Sequence, residues 1–404
     1  MISSLWGRIP AMGLKVLIVS HLYPNRVKPT FGGFVARQVS ILRQQGVEVR
    51  VVSPTPYSNA FLSKLKPKWR EYYQVPEEDK IDQVQVSYPR YPHLPGSSRR
   101  WLSGPLAKKF IGGFLRKIVS EFGPDCVLAN MLTMDAYLAT QSIESCPVFS
   151  YMIGDDINIY PSEDQRIKQQ TSETLELSDK ILSVSHSLAQ QMAKIFGESL
   201  LTKTHIVYRG FDLNRLPKNR ENRASLKDQL GLSGDHRYFL YLGGLEKNKG
   251  VLDLAQAAKS YPEKYQFLFI GDGELMETLS EISPLNTVSL GRKPFAEVQK
   301  YLMACDAFIF PSYNEGFSNA LLEAQAHGLP ALVSDIPPNC ELIEDGVNGY
   351  RFTTRSVSSL KKAIDRFLAL SQTEVDRLST NSSQRVQEKF STQKNIEKLI
   401  DLLR

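Results

Sequence analysis

Residues 311–327 read PSYNEGFSNALLEAQAH, and this stretch decides the fold. The apolar run Ala307-Phe308-Ile309-Phe310 just before it predicts a buried strand, which Pro311 ends. Asn314 and Gly316 supply turn chemistry. Ser318 is the expected N-cap of a helix over Asn319–His327, closed by Gly328 and Pro330. Two glutamates, Glu315 and Glu323, therefore stand eight positions apart. One lies in the loop at a strand's C-terminal end, the other about one turn inside the helix. Read alone, each is a solvated surface carboxylate. The helix N-terminus between them offers free backbone N–H groups to an anion. Two carboxylates and an anion pole suit a molecule with hydroxyls at one end and phosphate at the other, such as a nucleotide sugar.

Strand and helix patterns alternate along all 404 residues, which argues for parallel α/β layers in two or three domains. The first half runs from Leu14–Val19 through Val47–Ser53, Cys126–Ala129, Val148–Met152 and Lys180–Val184 to His205–Tyr208. Residues 54–100, rich in Pro, Lys and Tyr, predict irregular excursions. Residues 212–237 are polar and predict a linker. The same grammar restarts at Tyr238–Leu242 and continues through Gln266–Ile270, Thr287–Leu290, Ala307–Phe310 and Ala331–Ser334. The expected domains are thus 1–211 (with 1–11 disordered), the linker 212–237, and 238–384. A terminal segment, 385–404, has apolar Ile396, Leu399, Ile400 and Leu403. Two such domains imply a ligand cleft between them.

The spacing Glu315–Glu323 resembles the E-x7-E motif of the retaining glycosyltransferases of family 4, which have GT-B architecture. The resemblance implies two Rossmann-like, doubly wound domains facing a central cleft, with the last helix packing back near the first. Gly243-Gly244-Leu245-Glu246-Lys247-Asn248-Lys249-Gly250 resembles the family's G-R-L-x-x-x-K-G segment. Its Lys249 is then expected on the leaving diphosphate. Gly244 replaces the usual Arg, and Lys247 or Arg292 are the candidates to supply the missing charge. Gly271-Asp272-Gly273 resembles the loop beneath the nucleotide, and Gly291-Arg292-Lys293-Pro294 the backbone that meets the base. Gly32-Gly33 opens the first helix, and the resemblance brings Gly33 toward the diphosphate from across the cleft. Tyr23-Pro24-Asn25 through Gly33-Phe34-Val35 is similar to bacterial cell-surface polysaccharide transferases.

These carry-overs make Glu315 and Lys249 the expected catalytic pair. Gly33, Gly243, Lys249, Gly273, Arg292, Ser318, Asn319 and Glu323 are the expected donor contacts, with Glu323 on the ribose. Ile153-Gly154-Asp155-Asp156 departs from the family's H-G-x-D segment at Ile153, leaving Asp156 as a candidate sugar or acceptor contact. The adjacent Asp155 and Asp156 predict no bound metal, and no cofactor is implied. The expected reaction moves a sugar from a UDP- or GDP-sugar to a lipid-linked or polysaccharide acceptor. It retains configuration by front-face attack, with the departing phosphate as base. Hydrolysis or epimerisation of nucleotide sugars is the alternative on the same architecture. So is a catalytically weakened nucleotide-sugar-binding protein, suggested by Gly244 and Ile153.

The net charge of +6 belongs to the first half: residues 1–210 hold 25 Lys and Arg against 18 Asp and Glu. The excess gathers in Lys64, Lys66, Lys68 and Arg70, and in Arg99, Arg100, Lys108, Lys109, Arg116 and Lys117, interleaved with Phe61, Trp69, Trp101, Phe110 and Phe114. Two readings stand: solvated faces, or a surface resting on anionic lipid headgroups. No nucleic-acid module accompanies the charge. The four cysteines form no C-x-x-C and predict reduced thiols of a cytoplasmic protein, peripheral at most on the inner membrane face. No run of about 18 apolar residues or N-terminal signal pattern occurs.

Overall fold

The computed structural model describes residues 13–94, 96–217, 222–282 and 285–404. The expectation for residues 1–11 and part of the 212–237 linker lie outside them. The chain divides into two compact units: residues up to Tyr208 together with Asn395–Arg404, and Arg209–Lys394.

Among the described residues the first unit has ten strands: β1 Lys15–Val19, β2 Glu48–Val52, β3 Thr55–Pro56, β4 Glu78–Ile81, β5 Val84–Ser87, β6 Arg90–Tyr91, β7 Cys126–Asn130, β8 Val148–Met152, β9 Lys180–Ser183 and β10 Thr204–Ile206. Eight of them form one sheet in the order β10-β9-β8-β7-β1-β2-β5-β4. β1 lies between β2 and β7, parallel to both. The near-continuous apolar character of β1 and β7 follows from helices covering both faces of such a sheet. Every residue of β7 and β8 is buried.

Residues 54–100 correct the expectation of irregular structure. β4 and β5 form an antiparallel hairpin that extends the sheet. It turns at Asp82 and Gln83, both at positive φ (47° and 65°), as a tight hairpin turn requires. The sequence Glu-Asp-Lys-Ile of β4 reads as loop because an edge strand is guarded by charge rather than packed on both faces.

The second unit carries β11 Arg237–Leu242, β12 Tyr265–Ile270, β13 Thr287–Gly291, β14 Ala307–Phe310, β15 Ala331–Ser334 and β16 Gly349–Phe352. Their order is β13-β12-β11-β14-β15-β16, with every pairing parallel. Aromatic side chains knit the centre. Phe239 stacks on Phe267 with ring centroids 5.0 Å apart, and Tyr241 lies between Phe269 and Phe310.

The final helix, expected over about Thr392–Arg404, spans Thr392–Leu403, while the start of the 385–404 segment belongs to the preceding helix. Gln372–Lys389 lies in the second unit, and Thr392–Leu403 follows a break at Phe390 and Ser391. The later helix buries Ile396, Leu399, Ile400 and Leu403. Within the first unit, the Lys180 ammonium donates to the Leu402 carbonyl and the Tyr208 N–H to Asn395 Oδ1.

Candidate active site

In the second sheet the chain starts at β11, spreads to β12 and β13 on one side, then crosses to β14 on the other. The carboxyl ends of β11 and β14 therefore flank the point where the winding reverses. Open α/β sheets bind ligands there, because the loops diverge and leave a crevice. The loop after β11 is Gly243–Gly250 and the loop after β14 is Pro311–Ser318, the two segments that carry the sequence motifs.

Backbone hydrogen bonds tie these loops to each other and to the loop after β12. The Tyr313 N–H donates to the Asn248 carbonyl (2.8 Å), and the Leu245 N–H to that of Asp272 (2.8 Å). The Leu275 N–H donates to the Leu245 carbonyl (2.9 Å). Glycine is needed for two of these approaches. A Cβ on Gly250, which sits at φ 67°, would fall on the Pro311 carbonyl. A Cβ on Gly273 would strike the Leu245 carbonyl.

Across this junction the Lys249 ammonium donates to Glu315 Oε1 at 2.9 Å. The pair is mostly buried, with side-chain exposures of 22% and 13%. The Ser312 hydroxyl donates to the same Oε1 at 2.9 Å. The structure thus brings together two residues that stand 66 positions apart in the chain. Beneath them the buried Tyr241 hydroxyl donates to the Gly244 carbonyl (2.7 Å). Burial, with the Glu315 and Glu246 charges nearby, holds that phenol protonated far above its ordinary range. Neither Tyr241 nor Ser312 was singled out by sequence reasoning. The signal available was position alone: Tyr241 lies two residues before Gly243, and Ser312 opens the motif loop.

Ser318 is the N-cap of the helix Asn319–Ala326, its Oγ accepting from the Leu321 N–H at 3.2 Å. Its hydroxyl is engaged in the helix, so what it leaves for a ligand is the helix N-terminus, beside the exposed Asn319. Glu323 is half-buried one turn further on. Arg292 is 79% exposed, and its guanidinium is 4.0 Å from the Asp272 carboxylate, at the rim. Lys247 lines a shallow recess with Glu246, Asn248, Gly273 and Glu274. Gly33 lies in the first unit at the first position of the helix Gly33–Gln44. A Cβ there would meet open space, whereas Gly32, at φ 62°, abuts the Leu22 backbone.

Asp156 requires a correction. It is fully buried, and its carboxylate accepts from the N–H groups of Leu132 (3.2 Å), Ile153 (3.2 Å) and Gly154 (2.9 Å). Burial outweighs these bonds and pushes its carboxyl up to about 6. It organises backbone rather than facing a ligand, while Asp155 beside it is exposed. Part of the expected basic and aromatic surface is already engaged within the unit. Arg100 stacks on Tyr160 (4.0 Å) and pairs with Glu163, and Arg166 covers Trp101 (4.1 Å).

The family described as glycosyl transferases group 1 matches residues 222–385. A Bacillus subtilis (strain 168) protein named for teichuronic acid biosynthesis, the glycosyltransferase TuaC, is 28% identical over 326 residues, 80% of this chain and 81% of that protein. The UDP-Gal:α-D-GlcNAc-diphosphoundecaprenol α-1,3-galactosyltransferase of Escherichia coli is 29% identical over half of this chain and 54% of its own length. Among solved structures, sucrose-phosphate synthase from Thermosynechococcus elongatus superposes with a TM-score of 0.77 at 16% identity, covering 96% of this chain and 97% of that one. With two sheets that are parallel apart from the β4–β5 edge, these likenesses give the chain the GT-B architecture, and its second unit carries the segment that matches glycosyl transferases group 1.

Proposed function

We propose that this protein transfers a hexose from a UDP-sugar to a phosphate-linked or growing glycan of the bacterial cell surface, with retention of configuration. The observation that carries the reading is the Lys249–Glu315 pair astride the switch point of the second sheet. Breaking the anomeric C–O bond releases a diphosphate anion and an electron-poor sugar. Lys249 and the Ser318-capped helix terminus supply positive potential for the anion. Glu315 orients sugar hydroxyls, and Glu323 holds the ribose. Arg292 and Lys247, near the loop after β12, take the place of the absent arginine at Gly244. Front-face attack follows from the resemblance to family 4, the departing phosphate accepting the proton of the attacking hydroxyl.

The names of the teichuronic acid and galactosyltransferase relatives support a cell-envelope acceptor, and the latter a uridine donor. No helix among the described residues is long and apolar enough to cross a membrane. Phe61, Leu65 and Tyr73 are 71%, 59% and 51% exposed beside Lys64, Lys66 and Lys68. That combination supports peripheral docking on anionic lipid at the inner membrane face.

The test is incubation with radiolabelled UDP- and GDP-sugars and isolated membranes, followed by NMR assignment of the product anomer. A single donor giving a retained linkage is expected, with Glu323→Ala weakening UDP binding at least tenfold. Sugar release into water without acceptor would support the hydrolase reading. UDP binding with no turnover on any acceptor would support the weakened binding protein, which Gly244 favours. An inverted product would remove the front-face mechanism.

A further inference from the structure

The first sheet has its own switch point, between β1 and β7, where the chain turns from filling one side to filling the other. A second acid–base pair stands across it. His21 lies two residues after the end of β1, and its Nδ1 is 2.8 Å from Asp135 Oδ2. The His21 backbone N–H donates to the other oxygen, Oδ1, at 3.0 Å. Asp135 comes from the turn after β7. Met131, at φ 73°, starts that turn, and a single π-helical turn over Leu132–Ala136 continues it. Positive φ at a non-glycine residue and an isolated π turn both cost energy, and such features gather at functional sites. Asp135 is wholly buried, while the His21 side chain keeps 25% exposure. The carboxylate thus sits behind the imidazole and engages Nδ1, which orients the ring and leaves Nε2 for a ligand.

His21 lines a cavity of about 350 Å³ within this unit. Tyr72, Tyr91 and Tyr160 give it aromatic walls. Three basic side chains line it, Lys28, Lys68 and Arg100; Lys28 is paired to Glu71 at 2.7 Å and Arg100 to Glu163, which is not among the lining residues, at 2.6 Å. Aromatic walls suit the apolar face of a sugar ring, an imidazole nitrogen suits a hydroxyl, and Lys68 and Arg100 suit phosphate.

We propose that this cavity is a binding site for a glycosyl phosphate, with the sugar ring among the tyrosines. One of its hydroxyls hydrogen-bonds His21 Nε2, and Lys68 and Arg100 hold the phosphate. Resting on the glycosyltransferase reading, the occupant is the acceptor. Asp135 and the π turn position His21. The same chemistry is met by a soluble sugar phosphate and by the head of a prenyl-diphosphate glycan, so both serve as probes.

The experiment measures binding of N-acetylglucosamine 1-phosphate by titration calorimetry. Binding of N-acetylglucosaminyl diphosphoprenol in phosphatidylcholine vesicles is measured by co-sedimentation. His21→Ala is expected to weaken both at least tenfold while leaving UDP affinity within twofold. Lys68→Glu, a change at an exposed position that does not threaten folding, is expected to weaken both probes but not free N-acetylglucosamine. Tight binding of one probe alone tells which source of the phosphate the site takes. Failure of both probes to bind the unaltered protein, or wild-type affinity in both variants, overturns the proposal. Retention of these effects in a protein that binds no UDP and transfers no sugar would leave the site standing and remove the glycosyltransferase reading instead.

Discussion

Replacing Glu315 by Gln separates two roles that the ion pair with Lys249 combines. At 2.9 Å the gross attraction between unit charges is about 6 kcal/mol at an effective dielectric of about 20. Desolvation cancels much of it, and breaking a fully buried pair costs ~3–5 kcal/mol because one charge is stranded. Here both side chains keep some solvent contact, 22% and 13%, so ~1–3 kcal/mol is expected for Lys249→Met. Glu315→Gln should cost less, since the amide oxygen can still accept from Lys249 and from the Ser312 hydroxyl. The coupling from a double-mutant cycle by urea unfolding should be ~1–2 kcal/mol. The consequences for UDP have opposite signs. Lys249→Met removes a cation and leaves the Glu315 carboxylate facing the diphosphate, so UDP affinity falls by at least tenfold, about 1.4 kcal/mol. Glu315→Gln frees the ammonium for the diphosphate and removes a repelling charge, so UDP affinity holds or rises while sugar transfer collapses. Calorimetry with UDP and a transfer assay with the intact donor read the two quantities. A Glu315→Gln protein that loses UDP affinity as severely as Lys249→Met would refute the idea that the pair is poised for a diphosphate.

Gly250→Ala must hold a left-handed conformation worth ~1–2 kcal/mol and also displace the Pro311 carbonyl. Urea unfolding should therefore show a loss above ~2 kcal/mol, and calorimetry a loss of UDP binding as the two motif loops part. Ser318→Ala strands the Leu321 N–H and should cost ~1 kcal/mol. Ser318→Asp keeps the cap but places a carboxylate at the anion pole, so stability should hold while UDP affinity drops; equal UDP binding in the two variants would argue against a phosphate at this terminus. For Asp156 the folded-state value of about 6 lies above the ordinary 3.8. The folded protein therefore binds the extra proton, and this contribution to stability is full below pH 4 and lost as pH rises through 6. The loss is ~3 kcal/mol by linkage, so the stability of the wild type relative to Asp156→Asn should decline by that order between pH 4 and 7.5. A difference independent of pH would show that the carboxyl titrates normally.

How far the sequence could be read follows from which forces act locally. The strand Ala307–Phe310, its stop at Pro311 and the Ser318 cap are all decided by residues within a few positions of each other, and the structure shows each where expected. The parallel strands of the two sheets were legible for the same reason: β1, β7 and β11 are apolar except at their ends, Lys15, Asn130 and Arg237, because both faces are covered. β4 escaped notice because its charges serve an edge rather than a core, so hydrophobic pattern carries no trace of it. Asp156 was misread because a carboxylate next to Gly154 looks the same whether it faces a ligand or three backbone N–H groups; only the fold of Leu132 and Ile153 around it decides. The His21–Asp135 pair was invisible for a further reason. Neither residue belongs to a recurrent local pattern, and they lie 114 positions apart. What joins them is strand order: placing β7 beside β1 brings the turn after one against a residue just beyond the end of the other. The same order in the second sheet joins Lys249 to Glu315. In both units an acid–base pair spans the place where the winding reverses, so the positions most open to a ligand are set by topology. A local reading recovers them only when, as at Glu315, a motif happens to mark the spot.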